Sequence, residues 1–290
     1  MIRILGTIFA GVLGLAFGSF LNVCLSRWPQ GESVVQPRSH CRQCERTLTW
    51  WENVPLVSWL ALRGRCRTCR AWIGWRYPLV EVSVGALWAI VAWQFGGVMG
   101  LPDPPSIDIT LIDVVGRMIF YWGLVALAVL DAENLWLPDW ITYPGIALGF
   151  LLTSVLAPLD DFWWSERTTA KSAAVDDLLA IVIAAALILL IRWIYWLVRR
   201  REGIGLGDAK LMALLAAWLG LPGALFAFGL GAVIGSLFAV VLLAIPSARK
   251  QSEGWGKIKL PLGTFLCIGG IISSLWGQPM IAAYLRWAGF

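Results

Sequence analysis

The chain has 290 residues, of which 59% are hydrophobic and only 14% charged, with 19 Trp and a mean hydropathy of +0.73. Soluble domains hold about 45–50% apolar and about 25% charged residues, so a water-soluble globule is excluded and a polytopic membrane protein is expected. The formal net charge of +5 decides nothing alone, because orientation depends on where the basic residues fall.

The first apolar segment runs from Ile2 to about Leu25. It lacks a strongly basic start and a small-residue cleavage site, so it reads as a retained helix rather than a signal peptide. Runs of about 20 apolar residues span a bilayer. Such runs lie near 2–25, 78–98, 110–130, 140–158, 177–198, 209–221, 223–245 and 261–285. The sixth is short, and Leu221-Pro222-Gly223 supplies the turn after it. The expected fold class is an all-α polytopic membrane protein of about eight transmembrane helices with a small zinc-binding domain. Residues 1–26 form the first helix, 27–77 the soluble domain and 78–290 a seven-helix membrane domain.

Within 27–77 lie Cys41-Arg42-Gln43-Cys44 and Cys66-Arg67-Thr68-Cys69, separated by 21 residues. A Cys-x-x-Cys turn lets both sulfurs reach one ion, and two turns complete a tetrahedron. A structural zinc site on Cys41, Cys44, Cys66 and Cys69 is therefore expected, although its spacer slightly exceeds the usual range of about 15–20 residues. The competing reading is two disulfides or redox pairs. A domain of about 50 residues struggles to bury a core, and a metal offsets that deficit. His40, the only histidine, reads as a bystander beside four thiols, and Cys24 and Cys267 read as small buried hydrophobes.

Nine Arg (27, 38, 42, 46, 63, 65, 67, 70 and 76) fall in 27–77. Arg199, Arg200, Arg201 and Lys210 fall in a second stretch, and Arg249, Lys250, Lys257 and Lys259 in a third. In an eight-span arrangement these 17 of the 23 Lys and Arg lie on one side, which the positive-inside rule makes the cytoplasm. The loops opposite are acidic, with Asp103, Asp108, Asp160, Asp161, Glu166, Asp176 and Asp177, and both termini face outward. Stable disulfides are disfavoured on a cytoplasmic face.

That topology puts Asp131 at the cytoplasmic end of the third span and Asp208, in Gly205-Leu206-Gly207-Asp208, at the cytoplasmic start of the sixth. Ionisable groups at such depth are rare and read as functional. Two carboxylates at one membrane level can share a proton and activate water, the minimal chemistry of an aspartyl protease. Gly205 and Gly207 would allow close backbone approach, with the helix unwound there. Taken alone, Asp208 reads equally as a helix cap. Asp139, after Leu137-Pro138, competes with Asp131 but also suits a helix start, and Glu133 reads as a solvated loop acid.

Three stretches together resemble the type IV prepilin peptidases, also called leader peptidase/N-methyltransferases. They are Gly18-Ser19-Phe20-Leu21-Asn22-Val23 with Arg27 and Pro29; the cysteine region with Trp50 through Leu56, Leu62 through Cys66 and Arg76 through Glu81; and Asp131 through Asp139 with Gly205 through Leu211. The resemblance covers nearly the whole chain. It departs from the family at Arg42, where Pro is common, and in a long loop around 159–176. It implies a bacterial inner-membrane enzyme that cuts the basic leader from prepilins or pseudopilins at the cytoplasmic face, with Asp131 favoured over Asp139. It also implies N-methylation of the new terminus with S-adenosylmethionine. No glycine-rich cofactor signature is visible in the residues themselves. The resemblance points to the zinc region, where Gly64, Glu52 and Glu81 are candidates; otherwise Gly64 is a turn and both glutamates are structural carboxylates. The lipid bilayer is a partner, and no nucleic acid is expected.

A transporter or channel with a regulatory zinc domain is the alternative, since membrane acids can relay protons. Repeated halves and helices broken near the midplane would mark it, and neither is visible. A non-catalytic assembly factor would leave both acids without a role.

Overall fold

The computed structural model describes residues 1–100, 107–156, 170–201, 205–244 and 260–287. Asp103, Asp160, Asp161 and Glu166, most of the expected long loop at 159–176, and the basic residues 249, 250, 257 and 259 lie outside the described residues.

The described part of every expected span is helical. The helices are α1 (Ile2–Arg27), α2 (Val57–Ala61), α3 (Arg76–Val98), α4 (Ile107–Asn134), α5 (Asp139–Leu156), α6 (Ala170–Arg199), α7 (Leu206–Ala244) and α8 (Leu262–Trp287). Six segments among the described residues are long and apolar enough to cross a membrane: 2–30, 76–98, 110–134, 174–199, 206–242 and 262–287. The expected sixth and seventh spans are two helices, joined within α7 at a non-helical Gly220 (φ 65°, ψ 178°), with Pro222 two residues on. Only glycine adopts that φ cheaply, and Pro222 brings no N–H to rebuild the turn. The break thus falls one residue before the expected Leu221-Pro222-Gly223 turn. Asp176 and Asp177 lie inside α6 rather than in a loop, and Glu133 lies in the last turn of α4, exposed.

Two compact units divide the chain, Met1–Ala126 and Leu127–Phe290. In the first, α1 packs on α3 through small residues. A Cβ at Gly18 would stand 2.7 Å from the Glu81 Cα, and one at Gly14 would stand 2.9 Å from the Gly85 Cα. Between apolar helices in lipid no hydrophobic term drives association, so close backbone contact and hydrogen bonds must do so.

In the second unit the part of α7 before Gly220 is the central helix. Leu211 through Leu219 are all buried, as expected for a helix apolar all round. Cross-helix hydrogen bonds set the register of α7. Trp218 Nε1 donates to the Gly145 carbonyl (2.9 Å), and Ser273 Oγ to that of Gly223 (2.8 Å). Asp177, fully buried, accepts from Thr153 (3.0 Å) and Ser154 (3.2 Å), tying α6 to α5.

Candidate active site, cysteine cluster and cavity

The four cysteines converge. Their sulfurs lie within 4.8 Å of one another, and Cys41 Sγ is 3.7 Å from Cys69 Sγ. A tetrahedral zinc with Zn–S of about 2.3 Å needs sulfurs about 3.8 Å apart, so the donor set fits that ion. All four are free thiols, and His40 stands outside the cluster with Nδ1 at 3.1 Å from the Arg38 carbonyl.

The two cysteine pairs fold alike. Cys41 N–H donates to the Arg46 carbonyl and Glu45 N–H to that of Cys41; Cys66 N–H donates to the Ala71 carbonyl and Arg70 N–H to that of Cys66. The residue after each second cysteine is left-handed, Glu45 at φ 54° and Arg70 at φ 59°, and a β-bridge flanks each turn, His40 with Thr47 and Arg65 with Trp72. Backbone N–H groups of Cys69 and Thr68 pull the Cys66 thiol down to about 6. At Cys69 the pull of the Ala71 N–H is outweighed by burial and hydrogen bonds with the other three thiols, which push it up to about 11. Of these two, only Cys66 is shifted towards the thiolate a metal requires.

Glu52 belongs to this scaffold. Its Oε1 pairs with Arg46 (2.5 Å), and its Oε2 accepts from the Thr49 N–H (2.8 Å) and hydroxyl (2.7 Å), forming a capping box. The Arg46 hydrogen bond, with those from Thr49, holds its carboxyl down at about 2. Gly64 adopts φ +66°, and a Cβ there would stand 2.9 Å from both Trp59 and Trp72. Turn geometry and aromatic packing therefore account for this glycine. Glu81 is buried in α3; Oε2 accepts the Leu56 N–H (2.8 Å), and Ser19 also hydrogen-bonds the carboxylate.

A cavity of about 680 Å³ opens between these elements, within the range of small-molecule sites. Glu52 and Glu81 line it with Asn22, Ser26, Trp59 and Tyr77, and Gly64 sits behind the Trp59–Trp72 wall. Asn22 is buried, and its Oδ1 has no hydrogen-bond partner among the described residues.

The two candidate catalytic acids meet in the second unit. Asp131, one turn from the end of α4, and Asp208, in the first turn of α7, are 6% and 8% exposed, which is rare for carboxylates. Each is held by the N-terminus of a helix. Asp131 Oδ2 accepts the Thr264 N–H at 2.7 Å, from the start of α8, and Asp208 Oδ2 accepts the Gly205 N–H at 3.1 Å, from the start of α7. Helix N-termini favour negative charge, which offsets part of the desolvation cost. The two carboxylates lie within electrostatic reach of each other, and the buried Cys267 thiol feels both.

Leu137 packs between the glycines on either side. A Cβ at Gly207 would stand 3.1 Å from it, and one at Gly263 3.0 Å from it and 2.9 Å from Asp131 Oδ2. The helix is not unwound at Gly207: α7 starts at Leu206, because Asp208 closes the first turn by taking the Gly205 N–H. Asp139 opens α5, is half exposed and pairs with Lys210 (2.5 Å), apart from this cluster. The residues to which sequence reasoning gave no role are Gly263 and Thr264 at the acids and Asn22 at the cavity, while Cys267 is a small buried hydrophobe, as expected. A helix-start signal at Pro261-Leu262-Gly263-Thr264 was available, but nothing local ties it to a residue 133 positions upstream.

Comparison with known proteins gives one consistent picture. Residues 12–95 match the Bacterial Peptidase A24 N-terminal domain, and residues 118–240 match the Type IV leader peptidase family. A "Prepilin leader peptidase/N-methyltransferase" of Stutzerimonas stutzeri is 32% identical, covering 96% of this chain and 93% of that protein. Proteins of the same name from Pseudomonas putida (34% identical; 97% and 94% covered) and Aeromonas salmonicida (32%; 94% and 92%) agree. No solved structure matches the chain.

Proposed function

The chain belongs to the type IV leader peptidase family and is a membrane protease with methyltransferase activity, and from that premise we propose that Asp131 and Asp208 are its catalytic pair. Its substrates are type IV prepilins or pseudopilins, whose basic leader it removes at the cytoplasmic face of the bacterial inner membrane. The observation that carries this reading is the burial of two electrostatically linked carboxylates, each anchored through one oxygen by a helix N-terminus. The concentration of 17 of the 23 basic residues in three stretches supports a cytoplasmic position for the acids and the cysteine region.

One carboxylate takes a proton from the attacking water, while the other, protonated, donates to the scissile carbonyl oxygen and polarises it. The water oxygen bonds to the carbonyl carbon, the C–N bond breaks, and the proton passes to the leaving amine. Anchoring each acid by Oδ2 fixes its orientation before substrate arrives, which lowers the reorganisation needed in the transition state. The test is cleavage of a purified prepilin by the wild type, Asp131→Asn and Asp208→Asn. Each substitution is expected to cut the rate by about a thousandfold or more. Normal cleavage by both variants would end this assignment.

The four thiols hold a structural zinc, and the cavity beside them serves methyl transfer. S-adenosylmethionine would supply an electrophilic methyl group there. Glu81 and Glu52 line its site, with Gly64 keeping the indole wall closed behind it. The cavity volume and the unpaired Asn22 acceptor support a polar occupant.

A further inference from the structure

We propose that Asn22 and Glu81 form a binding site for a primary amine in the cavity of the first unit. This rests on the reading that methyl transfer uses that cavity.

Asn22 is 2% exposed and lines the cavity. Its Nδ2 donates to the Tyr77 carbonyl at 3.0 Å. Flipping the amide would set two carbonyl-type oxygens against each other, so that bond fixes which end is oxygen. Oδ1 is then a buried acceptor with no donor among the described residues, a state that native structures rarely leave unexplained. It calls for an N–H or O–H from an occupant.

Glu81 narrows the class of donor. The α1–α3 contact sets Gly18 and Ser19 against Glu81, and Asn22 against Tyr77. Four residues along each helix separate the two contacts, a rise of about 6 Å. The two residues therefore lie about one turn apart along the helix pair, and both line the cavity. Leu56 N–H and Ser19 hold the carboxylate in place. A neutral hydroxyl or amide needs no carboxylate beside it. An ammonium group has three N–H donors, no acceptor and a charge that is costly to bury unpaired, and it uses both groups. Two sources offer that chemistry: the N-terminus freed by leader cleavage and the amino group of the methyl donor.

Calorimetry on the detergent-solubilised full chain separates them with two probe pairs. One is a peptide with a mature pilin N-terminus, free or N-acetylated; the other is S-adenosylhomocysteine, free or acetylated on its α-amine. In the wild type the free member of one pair binds about tenfold more tightly than its acetylated partner, as expected for charged hydrogen bonds. In Asn22→Leu and in Glu81→Gln that ratio falls to near one, and the pair affected identifies the amine. Asn22→Ser, which keeps a short acceptor, retains part of the preference. Helical content by circular dichroism shows whether each variant is folded, and Glu81→Gln carries the test if Asn22→Leu is not. A ratio unchanged in the folded variants overturns the amine site while leaving the cavity reading intact. Absence of all binding to the wild type overturns the cavity reading itself.

Discussion

The cysteine cluster and the carboxylate pair are assembled in opposite ways. Each half of the cluster is a local turn, closed by hydrogen bonds between residues four or five apart, and the same turn is used twice. The carboxylate pair has no local unit: Asp131 ends one helix, Asp208 begins another, and the group that holds Asp131 lies 133 residues further on. A local site tolerates movement of the helices around it, whereas a site made of helix ends is only as accurate as the bundle.

The largest effect should fall on the local site. Replacing Cys41 and Cys44 together by Ser leaves two thiols, too few to close a tetrahedron, so zinc content by metal analysis should drop from one per chain to none. Zinc retained in that variant would remove the metal assignment. The helix-end site should fail more gradually. In Gly263→Ala a new Cβ would stand 2.9 Å from Asp131 Oδ2, and prepilin cleavage should fall by about a hundredfold, the usual consequence of misplacing a catalytic group by about 1 Å. Wild-type cleavage there would mean that α8 does not set the position of Asp131.

Thr264 gives a finer reading. Its hydroxyl lies 2.8 Å from the Ala128 carbonyl and 3.3 Å from Asp131 Oδ2, so its one proton goes to the nearer oxygen and the backbone N–H carries the hold on Asp131. Thr264→Val should lower kcat by about threefold with KM unchanged, and Thr264→Ser should restore it. A change in KM instead would point to a substrate contact.

The smallest effect concerns pH. Glu52 is held at about 2 in the folded state, below the unfolded value of about 4.3. Its stabilising contribution is therefore complete above the unfolded value and is lost as pH falls through about 2. The difference in unfolding midpoint between the wild type and Glu52→Gln should narrow as pH is lowered from about 5 towards 2. A constant difference would show that the capping box, rather than the charge, carries the contribution.

The same contrast explains what could be read from the residues. The Cys-x-x-Cys pairs announce themselves because spacing and geometry are one fact there. The spans were legible from apolar runs, and the short sixth span foreshadowed the break at Gly220. Asp131 and Asp208 stood out through the cost of charge at membrane depth. Gly263 and Thr264 did not, since their role comes from tertiary packing alone. Glu52 drew attention as an acid near a cofactor region, and its full set of partners emerged only with Arg46 and Thr49 in place.

The ties between α5 and α7 have a mechanical consequence. Lys210 grips Asp139 at one level and Trp218 the Gly145 carbonyl at the next. A peptide admitted by parting these two helices would have to break both. Between α8 and α4, the grip of Thr264 on Ala128 and Asp131 lies at the level of the acids themselves. A gap opened at that level by an extended chain would therefore deliver its backbone to the acids directly.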